Sequence, residues 1–226
     1  MIDFFKRNKV FIIVTLATVI LLVGGVLLMT REKPTSTINS TILVPEGSIG
    51  TSGFVDGKYL PASSSATVTL VEFGDYECPA CALYSPFIKQ LLTDFAGKVT
   101  FVFRNYPLSY HTNALSSSYA VEAAGLQGKY WEMHEKMYAT QNDWSVLDNA
   151  TDVFLGYAKE MELDIEKFKS DMASDIVINK VKKDTNDGNT VRLTETPTYY
   201  LNGKKISISG SYDQLKNLVQ EELNKQ

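Results

Sequence analysis

The sequence predicts an α/β domain with an all-helical insertion, preceded by one N-terminal transmembrane helix. Three observations carry this. Residues 10–29 form an apolar run without a charge. A short apolar stretch, VTLVEF, leads directly into Cys-Pro-Ala-Cys at 78–81. After a long region of helical periodicity, the chain ends in two strand-like runs around Asn-Gly and an amphipathic stretch.

The elements follow in chain order. At ~1.5 Å of helical rise per residue, the uncharged run spans about 30 Å, the thickness of a bilayer's hydrocarbon core. Lys6, Arg7 and Lys9 precede it, and Arg31, Glu32 and Lys33 follow with a smaller positive excess. The positive-inside bias places residues 1–9 in the cytoplasm and makes 10–30 a single-pass signal-anchor in the cell membrane. The rest is then extracytoplasmic. A cleaved signal peptide is the competing reading. The run exceeds the usual signal core of about 7–15 residues, and it ends in LLMTREKP rather than at a small-residue cleavage site.

Residues 31–65, rich in Ser, Thr, Gly and Pro, read as an extracytoplasmic linker. The later part of this stretch holds Phe54, Tyr59 and Leu60, which suit packing on the domain. Residues 66–226 suffice for one domain with a full core. Residues 1–33 carry five basic and two acidic side chains, leaving 17 and 24, a net charge of −7, for the remainder. Such an acidic domain argues against nucleic acid as a partner.

Val68 to Phe73 reads as a buried parallel strand. A helix is expected from about Cys78 to Phe95, with Pro79 suited to its first turn, Leu83, Phe87, Leu91 and Phe95 on one stripe, and a kink at Pro86. Cys78 and Cys81 are the only cysteines in the chain. On a helix they are i and i+3, so their sulfurs share a face and can bond. A loop this short restrains the unfolded chain little, so stability is a poor reason for the bond. The helix start favours a negative charge, which depresses the Cys78 thiol and makes it the nucleophile. Cys81, one turn in, resolves the mixed disulfide. A zinc site would want four ligands, and only His111 and His134, widely spaced, could add to the pair. No metal is expected. Glu72, a carboxylate inside an apolar strand, is costly without a function. It reads as a buried acid that moves a proton to or from Cys81, against the alternative of a strand-end acid reaching solvent or a cation.

Phe101 to Phe103 continue as a second core strand, with Arg104 a solvated or salt-bridged residue past its end. From about 111 to 190 the pattern is helical. Helices are expected over Ala114 to Gly125, around Tyr130 to Tyr138, and around Val153 to Met161 after a cap at Asn149 or Thr151. Two further short helices are expected over Asp164 to Ala173 and Ile176 to Lys183. His111 and His134 read as helix-end or core-edge residues, and Trp131, Trp144 and the methionines as core. Thr198 to Leu201, Asn202-Gly203 and Lys205 to Ser209 read as a hairpin with a type I′ turn. The last helix, Tyr212 to Leu223, turns Leu215, Leu218, Val219 and Leu223 inward.

Together these residues resemble the thioredoxin superfamily and, within it, the DsbA-like thiol-disulfide oxidoreductases. VEFGDYECPAC resembles the family's first long strand and active-site turn, with Pro79 and Ala80 between the two active cysteines. Glu72 matches the buried acid. Thr196-Pro197 resembles the residue and cis-proline that face the disulfide and bind the substrate backbone. FRNYPLSYHTNA and the following EAAGLQGKYWEMHEKMYATQNDW resemble the entry into the helical insertion. The resemblance implies a thioredoxin fold and a protein-disulfide oxidoreductase that needs no cofactor beyond the Cys78–Cys81 disulfide. It implies, as partners, reduced secreted or surface proteins of a bacterial cell envelope and a quinone-linked reoxidase of DsbB or VKOR type. A disulfide reductase or isomerase of the same fold, and a non-catalytic binding module, are the alternatives. The sequence departs from the family's best-known member in having Ala80 where that protein has His, which argues against a very strongly oxidising potential. Asp75 and Glu77 add negative charge that opposes a thiolate at Cys78.

Overall fold

The computed structural model describes residues 40–44 and 49–226, all within one unit, Thr37–Gln226. Among the described residues no helix is long and apolar enough to cross a membrane. The anchor and cytoplasmic terminus expected over residues 1–30 lie outside them.

A single turn, α1 (Ser40–Leu43), precedes a hairpin of β1 (Gly50–Val55) and β2 (Lys58–Pro61). Then follow β3 (Val68–Gly74), α2 (Pro79–Asp94) and β4 (Val99–Asn105). The insertion is entirely helical: α3 (Ala114–Gly125), α4 (Tyr130–Ala139), α5 (Gln141–Trp144), α6 (Thr151–Glu160), α7 (Ile165–Met172) and α8 (Asp175–Thr190). The chain closes with β5 (Thr198–Leu201), β6 (Lys204–Ile206) and α9 (Tyr212–Leu223). The six strands lie in the order β2-β1-β4-β3-β5-β6. β3 runs parallel to β4 and antiparallel to β5, so it is central.

The pleat of β3 divides its side chains between two cores. Leu70 joins a large cluster with Cys81, Leu91, Phe101, Phe103, Trp144 and Leu215, whereas Val71 and Phe73 join a smaller one with Val102, Leu193 and Tyr200. By the same alternation Glu72 and Gly74 fall on the Leu70 side. Burying an aliphatic or aromatic side chain contributes about 2 kcal/mol. The inward face of α2 therefore holds it firmly through Ile88, Leu91 and Leu92.

Several expectations are corrected. Of the expected stripe on α2, Leu91 and Phe95 do face inward, together with Cys81, Ile88 and Leu92, whereas Leu83 is 64% exposed. The helix itself spans Pro79–Asp94 with Pro86 inside it, as expected. The stretch read as linker contributes two strands, because Asp56 (φ 49°) and Gly57 (φ 76°) make a tight turn that pairs Val55 with Lys58. α8 extends seven residues past Lys183. The N-cap position of α6 is Ala150, and Asn149, one residue earlier, does serve the helix start, its Oδ1 accepting from the Thr151 N–H at 2.9 Å. Asp164 and Ser174 do cap α7 and α8, accepting from the N–H of Lys167 and Val177.

For Arg104 the salt-bridged alternative holds, while its place and exposure are corrected. It lies within β4 and is fully buried. Its Nε donates to Asp184 Oδ1 and its Nη2 to Asp187 Oδ2, each at 2.6 Å. Its Nη1 donates to the Leu43 carbonyl at 2.9 Å, and its guanidinium lies 5.3 Å from the Phe73 ring centroid. Lys180 Nζ sits 2.6 Å from Asp184 Oδ2, and the Asn105 amide nitrogen bridges Glu122 and Asp184. This network ties α1, β4, α3 and α8 together.

Candidate active site

The chain leaves β3 through Gly74, where a Cβ would stand 2.4 Å from Phe103 Cε2 and 2.9 Å from Glu72 Oε1. Only glycine leaves room for both groups. The turn that follows is organised by Asp75. Its Oδ1 accepts from the Glu77 N–H at 2.8 Å. Its Oδ2 accepts from the Leu108 N–H at 2.9 Å and lies 2.7 Å from His111 Nδ1. Glu77 Oε2 accepts from the Asn113 N–H. Both carboxylates are thus spent on backbone donors, and the opposition to a Cys78 thiolate expected of them does not prevail.

Cys78 is the N-cap residue of α2, in extended backbone, with Pro79 at the first helical position. Gln141 Nε2 steadies the turn by donating to the carbonyls of Tyr76 at 2.7 Å and Cys78 at 3.0 Å. Both cysteines are buried free thiols. The Cys78 thiol is held down at about 5, foremost by the hydrogen bond from the Cys81 thiol. Burial opposes this, and the Thr196 hydroxyl and the N–H groups of Cys81 and Ala80 assist it. Cys81 is pushed well above the usual thiol range, first by burial and then by Cys78 and Glu72. One sulfur is thus built to ionise and the other to hold its proton.

The Thr196–Pro197 peptide is cis. The Thr196 carbonyl accepts from Cys78 Sγ at 3.4 Å, and Thr196 Oγ1 is buried without a partner, free to donate once that sulfur ionises. Thr196, Pro197, Ala80, Tyr84, Tyr199 and Ile206 line a cavity of about 320 Å³ beside the cysteines.

Glu72 is buried, 2% exposed. Burial pushes its carboxyl up to about 8, the Cys78 charge adds to this, and Tyr199 works against it. The alternative of a solvated or cation-paired acid does not hold among the described residues. His134 is buried with Nδ1 2.9 Å from the Tyr76 hydroxyl, and burial lowers it to about 3, so it stays neutral. Trp131 and Trp144 are core residues. Among the described residues no group of three or more His, Cys, Asp or Glu side chains could hold a metal ion.

Cys78, Cys81, Glu72, Ala80, Thr196 and Pro197 thus converge from three segments of the sequence. Sequence reasoning missed Gly74, Gln141 and Tyr199. The first is legible as a glycine ending a strand beside a buried acid, whereas the other two carry no local signal.

The arrangement can be set beside known proteins. A thioredoxin family profile matches residues 62–221. The Na(+)/H(+) antiporter NhaA 1 of Salinispora arenicola is 35% identical over 159 residues, 70% of this chain. The chain spans about a quarter of the length of the curated relatives it matches, 23% in that case. Among solved structures, the thiol-disulfide exchange protein alpha-DsbA2 of Wolbachia pipientis has a TM-score of 0.67 at 18% identity, covering 80% of this chain and 90% of that one. BdbD of Bacillus subtilis, in its oxidised form, has a TM-score of 0.63 at 27% identity, covering 78% and 98%.

Proposed function

The chain belongs to the thioredoxin family, and on that premise we propose that it is a DsbA-type protein-disulfide oxidoreductase that donates its Cys78–Cys81 disulfide to reduced secreted or surface proteins. The observation that carries this is the divergence of the two thiols, Cys78 at about 5 and Cys81 well above the usual range. A stabilised Cys78 thiolate favours the reduced form, and a protein whose reduced form is favoured is an oxidant. Donors around Cys78 supply this in place of the histidine that Ala80 lacks.

In the oxidised protein a substrate thiolate attacks Cys78 Sγ. The S–S bond breaks, and its electron pair goes to Cys81 Sγ, which takes the proton of Glu72. A second substrate thiolate then attacks the substrate sulfur of the mixed disulfide, and Cys78 departs as a thiolate. The substrate has lost two electrons and the protein has gained them. The cis-proline segment borders the cavity in which a substrate backbone would lie beside Cys78. The apolar run at 10–30 tethers the domain on the extracytoplasmic face of the cell membrane, where a quinone-linked reoxidase of DsbB or VKOR type restores the disulfide.

Refolding of reduced ribonuclease by wild type and Cys78→Ala tests the activity, which should vanish in the variant. Equilibration against glutathione tests the direction. The potential should lie well above thioredoxin's, about −270 mV, and a value near that figure would make the protein a reductase.

A further inference from the structure

We propose that Tyr199 is a positioning residue of the exchange reaction, whose hydroxyl donates to the Glu72 carboxylate when Glu72 has passed its proton to Cys81. This deepens the oxidoreductase reading and rests on it.

Tyr199 lies directly across from Glu72 in the antiparallel pairing of β5 with β3. Both are almost wholly enclosed. The titratable groups that face Glu72 are Cys78 and Cys81 from α2, Tyr76 from the turn, Tyr138 from α4 and Tyr199 from β5. No Lys or Arg stands among them, and Phe103 occupies the opposing position on β4. A carboxylate formed there needs a neutral donor.

Three tyrosines could serve, and two are engaged. The Tyr76 hydroxyl bonds with His134 Nδ1 at 2.9 Å. The Tyr138 hydroxyl donates to the Asp75 carbonyl at 3.5 Å. The Tyr199 hydroxyl is buried and has no partner among the described residues. A buried hydroxyl left unpaired is costly, and such groups persist where another state of the protein uses them. The protonated acid does not require Tyr199, whereas the anion does. When the Cys78–Cys81 bond breaks and Cys81 takes its proton from Glu72, the charge left on Glu72 meets the waiting hydroxyl. The interaction is made late in proton transfer, so it assists the step rather than the resting state.

Tyr199→Phe removes the hydroxyl alone, and Tyr199→Met removes it with an unbranched side chain that adapts to the space. Carbon-13 NMR of the Glu72 carboxyl in the reduced protein should show its titration moving up by about one pH unit in both variants. Single-turnover oxidation of a two-cysteine peptide should slow about tenfold, and the same substitutions should change nothing in a Glu72→Gln background. A Glu72 titration that stays in place, or an equal slowing without Glu72, overturns the proposal. Lack of peptide oxidation by the wild type would instead remove the oxidoreductase reading, since the titration reads Glu72 independently of turnover.

Discussion

Glu72 and Asp184 are both buried carboxylates, one on the central strand and one on α8, and their surroundings treat them in opposite ways. Asp184 receives Arg104, Lys180 and Asn105, so its charge is balanced and its oxygens are used. Glu72 faces thiols, tyrosines and Phe103, and burial carries it up to about 8. The difference separates a carboxylate that holds helices to a sheet from one that can give up a proton near neutral pH. Burial is common to both, and the counter-charge decides which role follows.

That comparison breaks most visibly if its stable half is removed. Arg104→Leu leaves Asp184 and Asp187 short of their shared cation and should cost about 4 kcal/mol in urea unfolding. A loss below about 1 kcal/mol would mean the network is as replaceable as a surface pair. The reactive half should behave in the opposite sense. An acid raised from 4.5 to about 8 on folding binds more protons folded than unfolded. Stability should therefore fall as pH rises through that window. Glu72→Gln removes the fall and should stabilise the protein by on the order of 3 kcal/mol at neutral pH while slowing thiol exchange. A variant no more stable than wild type at pH 7 would place the Glu72 titration near its ordinary value.

Gly74→Ala sharpens the contrast at smaller scale. The added methyl meets Phe103 and Glu72 and should cost about 2 kcal/mol, read as a lower urea midpoint at an unchanged slope. The smallest effect concerns the thiols. Alkylation of the reduced protein should report a midpoint near pH 5 for Cys78, with labelling at pH 6 about fivefold faster than free cysteine, since a low pKa also weakens the nucleophile. Cys81 should stay unlabelled while the protein is folded.

Much of this was legible in the chain. β3, β4, α3, α4, α6, α7 and α9 declare themselves in the chain, whereas the single turn of α5 does not. Cys78, Cys81, Glu72 and Thr196-Pro197 declare themselves as thiols, a misplaced acid and a proline ahead of a hairpin. What escaped depends on contacts distant in sequence. The Asp-Gly turn between β1 and β2 is a hairpin signal, but Gly50-Thr-Ser-Gly, with Thr51 its one β-branched residue and no aromatic, is a weak strand sequence and pairs where β4 offers it an edge. The end of α8, with Asn186, Asp187, Gly188 and Asn189, has weak helical propensity. It stays helical where Asp184 and Asp187, one turn apart, both meet Arg104. Gly188 also lets Tyr106 approach, since a Cβ there would lie 2.6 Å from its ring. Gln141 and Tyr199 act on residues 63 and 127 positions away in the chain respectively, a distance over which neighbouring residue types say nothing.

The β1–β2 hairpin carries a consequence for solubility. β4 would otherwise present a flank of unsatisfied amides to any passing extended chain. β1 occupies that flank, pairing Gly50 with Val102 and Thr51 with Phe101. The new outer margin is β2, only four residues long, begun by Lys58 and ended by Pro61. Brevity, a cation and a missing N–H each discourage a further strand from adding. A shortened protein starting at residue 62, where the family match begins, would keep every reactive group and lose this guard, leaving β4 open to pairing with any extended chain.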